Sequence, residues 1–258
     1  MAKFAANLSM LFTEVDFLER FDAAAQAGFS GVEYLFPYAF DAEQIKQKLE
    51  QNNLTQVLFN LPAGDWDAGD RGIACDPSRI EEFQSGVALA IQYAKVLGNT
   101  QVNCLAGITP AGVSQQDAHA AFVINLRYAA QALQEAGLRL VIEAINTRDI
   151  PGFFLNTTEQ AKAVIKEVGS DNLFIQYDIY HMQIMEGDLA PTMSANIGQI
   201  AHVQLADNPG RHEPGTGEIN YPFVLKHLDE LGYQGWVGCE YKPKTTTTEG
   251  LDWLNLYR

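Results

Sequence analysis

The feature that most constrains this chain is a repeated punctuation: an apolar run, an oxygen-bearing side chain where the run ends, then a helical stretch. Leu140, Val141 and Ile142 lead into Glu143, and Leu173, Phe174 and Ile175 precede Asp178. The run from Ile200 to Val203 leads into Gln204, and that from Trp236 to Cys239 into Glu240. These four positions are separated by 35, 26 and 36 residues, each near the size of one strand-plus-helix unit. An acid at the end of a buried strand is costly to place unless something pairs with it. Four oxygen donors at successive strand ends therefore point to one shared cation site.

The same rhythm runs through the whole chain. Helical patterns end at Gly28, Gly98, Gly137, Gly169 and Gly232, where a left-handed closing residue is wanted. An apolar run follows each within a few residues. Thr157 with Gln160, Ser78 with Glu81 and, more weakly, Thr13 with Asp16 have the spacing of capping boxes. Between caps the apolar positions recur at helical intervals, as in Phe83, Val87, Ile91 and Ala94, or Phe122, Leu126, Ala129 and Leu133. The pattern predicts strands near 3–8, 31–35, 55–60, 101–105, 138–143, 173–178, 200–205 and 235–240, each followed by a helix, the last near 248–256. Eight strand–helix pairs imply parallel strands closed into a (β/α)8 TIM barrel, one domain over 1–258. A doubly wound open sheet would place a Gly-rich phosphate turn after strand one, and NLSMLFTEV has no glycine.

Composition narrows the function classes. The net charge of −15 opposes a nucleic-acid or anionic-membrane surface, which needs a basic patch. No apolar run approaches the roughly 20 residues that span a bilayer, and MAKFAANLSM does not read as a signal peptide. Cys75, Cys104 and Cys239 are too dispersed for a disulfide framework or a zinc site, as expected of a cytoplasmic protein. Acidic barrels of this length often pair or form tetramers, and no stretch here marks an interface.

The donor set of Glu143, Asp178, Gln204 and Glu240 is all oxygen, which favours Mg²⁺ or Mn²⁺ over Zn²⁺. Long loops at 61–77, 105–114 and 205–221 follow strands, on the face where barrels place their active sites. Loop 61–77, with Gly64, Gly69 and Gly72 beside Trp66, has the composition of a mobile cover.

The motifs NLSMLF (7–12), GVEYLFPY (31–38), NLPAGDW (60–66), QYDIYHMQ (176–183), HVQLADNPGRHEPGTGEINY (202–221) and GWVGCEYKP (235–243) resemble the hydroxypyruvate isomerase family of xylose isomerase-like barrels. The likeness runs nearly end to end. It implies that Glu143, Asp178, Gln204 and Glu240 bind a metal, that Glu143 and Glu240 double as the acid–base pair, and that the substrate is a small hydroxy-oxo acid. The expected reaction interconverts hydroxypyruvate and tartronate semialdehyde through an enediolate. Phe59 stands where His often precedes the NLPAGD motif, and Ala144 where Pro often follows the Glu. The related 2-oxo-tetronate isomerase and a ketose 3-epimerase therefore stay open, as does a non-catalytic barrel that binds a sugar acid. A metal-dependent endonuclease on this barrel would need more than the five His present and a basic groove.

His181, three residues past Asp178, is a candidate hydrogen-bond partner for a substrate oxygen. Arg211, Lys242 and Arg71 are candidate anchors for a substrate carboxylate, since Arg suits bidentate capture. Asn7 and Asn60, near the ends of strands one and three, could bond substrate, and Trp66 could wall the pocket. Glu33 and His202 read as supporting groups beneath the site.

Overall fold

All eight expected strands form in the computed structural model, which describes residues 2–257. They are β1 (Lys3–Asn7), β2 (Gly31–Glu33), β3 (Thr55–Leu58), β4 (Gln101–Cys104), β5 (Arg139–Glu143), β6 (Leu173–Asp178), β7 (Ile200–Leu205) and β8 (Trp236–Cys239). Every pairing is parallel, in the order β3-β2-β1-β8-β7-β6-β5-β4. The two ends of that series meet where Leu61 N donates to Asn103 O (2.8 Å) and Asn103 N to Phe59 O (3.0 Å). The barrel thus closes just past the end of β3.

Helices α1 (Arg20–Gln26), α2 (Ala42–Gln51), α3 (Ile80–Leu97), α4 (Gln115–Glu135) and α5 (Thr158–Val168) cover the first half of the barrel. Two helices follow β6, α6 (Ile179–Met185) and α7 (Leu189–Asn196), where the sequence suggests one. After α8 (Tyr221–Glu230), the final stretch Thr248–Leu256 is a 3-10 helix. The five closing glycines all take positive φ, between 68° and 86°. Thr157 caps α5 by accepting from Gln160 N (3.2 Å). The other two proposed caps do not form: α3 begins at Ile80 with Ser78 bonded to Asp76, and Thr13 precedes only a short 3-10 turn at Phe17–Glu19. Asp76 takes over the turn at Ser78 by accepting from its N (2.9 Å) and Oγ (2.7 Å), and Asp16 makes no side-chain cap bond to the 3-10 turn.

Two cores hold the layers. The larger lies between strands and helices and contains Phe83, Val87, Phe122, Leu126, Leu133, Ile142, Ile175 and Val203. The smaller comprises Ala5, Val57, Leu58, Val141 and Ala201, with Phe174 and Trp236 packed against it. Side chains two apart on a strand share a face. Asn7 therefore stands above Ala5, Glu143 above Val141, and Gln176 and then Asp178 above Phe174. The barrel has an apolar plug at one end and polar layers rising from it toward the carboxyl ends of the strands.

Candidate active site and metal centre

Glu143 and Asp178 each keep one oxygen tied to the protein and leave the other unpartnered, whereas both oxygens of Glu240 are bonded. Asp178 caps α6 through Oδ1, which accepts from Tyr180 N (2.7 Å) and His181 N (3.3 Å). Its Oδ2 is buried and has no hydrogen-bond partner. Glu143 Oε2 accepts from Gln176 Nε2 (2.9 Å) and Asn103 Nδ2 (3.3 Å), while its Oε1 is buried and unpartnered. Glu240 Oε1 accepts from Asn7 Nδ2 (3.3 Å), and Oε2 from Arg211 Nη2 (2.7 Å). One ligand atom from each of Glu143, Asp178, His181 and Glu240 lies within 4.8 Å of all the others. The orphaned oxygens and the hard donors fit a divalent cation.

Gln204 is set one strand over, in register with Asp178. Its Nε2 donates to Glu33 Oε1 (2.7 Å), which leaves Oε1 as the site-side atom, accepting from Gln176 Nε2 (2.7 Å). Glu33 is fully buried and also accepts from Asn7 Nδ2 (3.1 Å) and pairs with His202 Nε2 (2.7 Å). Gly238 makes room for this knot, because a Cβ there would overlap the Glu33 carboxylate.

His181 has its tautomer fixed by its neighbour. Asn146 Oδ1 accepts from Arg148 N (3.0 Å) and Asp149 N (2.8 Å), so its Nδ2 is the group facing His181 Nδ1 at 2.6 Å. Burial, with Arg211 nearby, holds the imidazole pKa well below its ordinary value, so the ring is neutral. Nδ1 accepts, and Nε2 therefore carries the hydrogen. That N–H faces Glu143 Oε1 and Asp178 Oδ2, both at 3.7 Å.

Crowding of acids sets the electrostatics. Burial raises the Glu143 pKa far above the usual carboxylate range, and the charges of Glu240 and Asp178 add to it. Burial likewise raises Asp178. Glu240 is pushed up to about 8 by burial, against the pull of Arg211. Burial works against the Arg211 charge, yet Glu240, Asp178, Glu143 and Asp149 together hold its pKa above normal. Its guanidinium lies 5.2 Å from the centre of the Tyr180 ring, 3.7 Å from Asp149 and 3.9 Å from Asp178.

Glu143, His181, Arg211, Glu240, Asn60 and Trp66 line one cavity of about 80 Å³, closed further by Met10, Leu35, Leu105, Ile145, Ile150 and Gln176. Two of the expected carboxylate anchors stand elsewhere. Arg71 turns back on its own loop: its guanidinium stacks 4.3 Å from the Trp66 ring centre, and Nη1 donates to Trp66 O (2.9 Å) and Asp70 O (2.7 Å). Lys242 lines a separate groove beside the cavity. The 61–77 loop is pinned by the Asp70–Arg79 pair (2.7 Å) and by close backbone packing of Gly72 on Leu105 and Gly107.

Sequence reasoning missed Gln176, Asn146 and Asp207. Gln176 was detectable, since it shares a strand face with Asp178. Asp207 is buried and accepts from the backbone of Asn208, Gly215, Gly217 and Ile219, which shapes the loop that carries Arg211. Asn146 sits in a loop with no periodic signal.

The chain belongs to the xylose isomerase-like TIM barrel family, whose model matches residues 21–257. It is 58% identical over 258 residues, covering both chains completely, to hydroxypyruvate isomerase of Escherichia coli (strain K12). It is 48% identical over 257 residues, covering 100% of this chain and 99% of the other, to 2-oxo-tetronate isomerase of Cupriavidus necator. A solved structure described as an AP endonuclease, family 2, from Brucella melitensis superposes with a TM-score of 0.98 at 48% identity over the full length of both chains. The full-length curated relatives are isomerases, and the chain is an enzyme of that kind. Among the described residues, no helix is long and apolar enough to cross a membrane.

Proposed function

We propose that the enzyme interconverts hydroxypyruvate and 2-hydroxy-3-oxopropanoate (tartronate semialdehyde). The observation that carries this is a small cavity in which two buried carboxyl groups, Glu143 and Glu240, one guanidinium and one imidazole N–H converge. Moving a carbonyl to the neighbouring carbon requires one group to take a carbon-bound proton and another to return one next door. Glu143 and Glu240 stand on strands five and eight and would serve as that pair. His181 Nε2–H would donate to a substrate oxygen as negative charge builds on it in the enediolate. Arg211 would hold the substrate carboxylate, with Asp149 and Tyr180 bracing the guanidinium.

Glu143, Asp178, Gln204 and Glu240 would hold Mg²⁺ or Mn²⁺. His181 is set aside as a ligand because its inward nitrogen carries a hydrogen. The cation would supply Lewis acidity toward the carbonyl and hydroxyl oxygens, offsetting the developing charge without proton transfer. The second reading, 2-oxo-tetronate as substrate, is favoured by the full-length likeness to an isomerase of that name.

NMR of each acid incubated with the protein and Mg²⁺ or Mn²⁺ tests the assignment. Tartronate semialdehyde should appear from hydroxypyruvate, the exchanging C–H should take up deuterium from D₂O, and EDTA should stop both. Turnover of the four-carbon acid alone would transfer the assignment to the second reading. Binding of both acids without exchange would make the barrel a non-catalytic receptor.

A further inference from the structure

The catalytic cavity of about 80 Å³ is small beside ordinary ligand pockets, which run to roughly 300–1,000 Å³. Directly beside it lies a groove of about 450 Å³, lined by Ser9, Met10, Thr13, Glu14, Lys242, Pro243 and Thr245. Met10 lines both spaces. The turn that carries it is firmly held: Met10 N and Leu11 N both donate to Asn7 O (3.1 and 2.8 Å), and Ser9 N donates to Asn7 Oδ1 (3.1 Å). Ser9 Oγ in turn accepts from Leu35 N (2.9 Å). The backbone is fixed, and the part free to change is an unbranched thioether with three rotatable bonds, the side chain best suited to fill or vacate an irregular gap.

We propose that Met10 is the partition that sets substrate chain length, and that the groove behind it is the subsite for the tail of a longer polyhydroxy acid. The groove's chemistry fits such a tail. Hydroxyls of Ser9, Thr13 and Thr245, the Glu14 carboxylate and the Lys242 ammonium offer both donors and acceptors to successive carbinol groups. With Met10 in place, the small cavity would take a three-carbon acid, and a fourth carbon would meet the thioether. Arg211 and the catalytic carboxylates keep the reacting end in the same position in either case.

The inference deepens the proposed function, and its test separates the two. Met10→Ala should raise kcat/KM for 2-oxo-tetronate relative to hydroxypyruvate by about tenfold or more, the scale on which a pocket distinguishes one carbon unit. A calorimetric comparison of tartronate with erythronate, three- and four-carbon acids that do not react, should shift by the same factor. Thr13→Trp, which fills the groove, should cancel the gain when combined with Met10→Ala. A binding ratio unchanged within twofold in Met10→Ala would refute the partition. Native protein that turns over neither acid would refute the functional reading, while the tartronate–erythronate ratio would still decide the partition.

Discussion

Replacing Glu240 by Gln in the metal-free protein should flatten the dependence of stability on pH. Folding raises the pKa of Glu240 from 4.5 to about 8, chiefly through burial. The folded state then holds this proton more tightly than the unfolded chain does. Stability from this group is complete below its unfolded pKa and is lost as pH rises through the folded value. Every tenfold gain in proton affinity on folding is worth about 1.4 kcal/mol, so between pH 4.5 and 8 the native protein loses on the order of 4 kcal/mol through this one carboxyl. Gln cannot ionise, and its carboxamide oxygen still accepts from Arg211. It also removes a charge that raises the Glu143 pKa, which acts in the same direction. Urea denaturation in EDTA at pH 4 and 8 measures the difference. Native and variant should be similar at the lower pH, and the variant should be the more stable by kilocalories at the higher. Parallel pH slopes would refute the claim that Glu240 is buried as a neutral acid when no cation is bound.

The remaining expectations concern neighbouring parts of the site. Glu143→Gln and Glu240→Gln should each lower turnover by orders of magnitude while circular dichroism shows an intact fold; a near-normal rate in either would remove that residue from the mechanism. Asn146→Asp would accept a hydrogen from His181 Nδ1 and turn a bare Nε2 toward the site, lowering kcat by about a hundred- to a thousandfold, the scale of losing one donor to a developing oxyanion; the ¹⁵N resonances of His181 should show the tautomer exchanged. Gly238→Ala should cost about 1–3 kcal/mol from overpacking against Glu33 and weaken Mn²⁺ binding measured by EPR, since Glu33 orients Gln204. Mn²⁺ at a hundredfold over its dissociation constant at pH 8 should stabilise the native protein by about 2.7 kcal/mol there, and the same Mn²⁺ concentration should raise the melting temperature less at pH 5.5, because protons must leave before the carboxylates can bind.

The strands were legible because barrel strands are buried on both faces and so read as short continuous apolar runs, and the oxygen donors stood out as their terminal exceptions. Strands Leu173–Asp178 and Ile200–Leu205 match the sequence reading to the residue, whereas Gly31–Glu33 is shorter than the expected 31–35, with Tyr34 N still donating to Leu58 O (3.3 Å) and Leu35 O accepting from Asn60 N (2.9 Å) beyond it. Loops were less legible. Arg71 and Arg211 are both arginines in long loops after strands, and nothing local tells them apart. Arg211 reaches the cavity because buried Asp207 ties down the following loop backbone, and Arg71 is kept out by the Trp66 ring it stacks on. Both outcomes rest on contacts between residues whose pairing has no sequence period.

The charge arithmetic of the barrel mouth argues for the cation more strongly than the spacing of the donors does. Glu143, Asp178 and Glu240 are all buried within one connected network, and the cation reaching them among the described residues is the Arg211 guanidinium. The imidazole of His181 contributes no charge, because burial keeps it neutral. One guanidinium faces several carboxylates, and burial first, with the neighbouring carboxylates adding to it, raises the pKa values of Glu143, Asp178 and Glu240. A divalent ion held there would supply fixed positive charge and let the carboxylates ionise together. The two orphaned oxygens, Glu143 Oε1 and Asp178 Oδ2, which no protein donor satisfies, would be available to it. Proton counting decides the matter: calorimetry of Mn²⁺ binding at pH 7 in buffers of different ionisation enthalpy should show one or more protons released per ion, and binding with no release would place the cation away from these carboxylates.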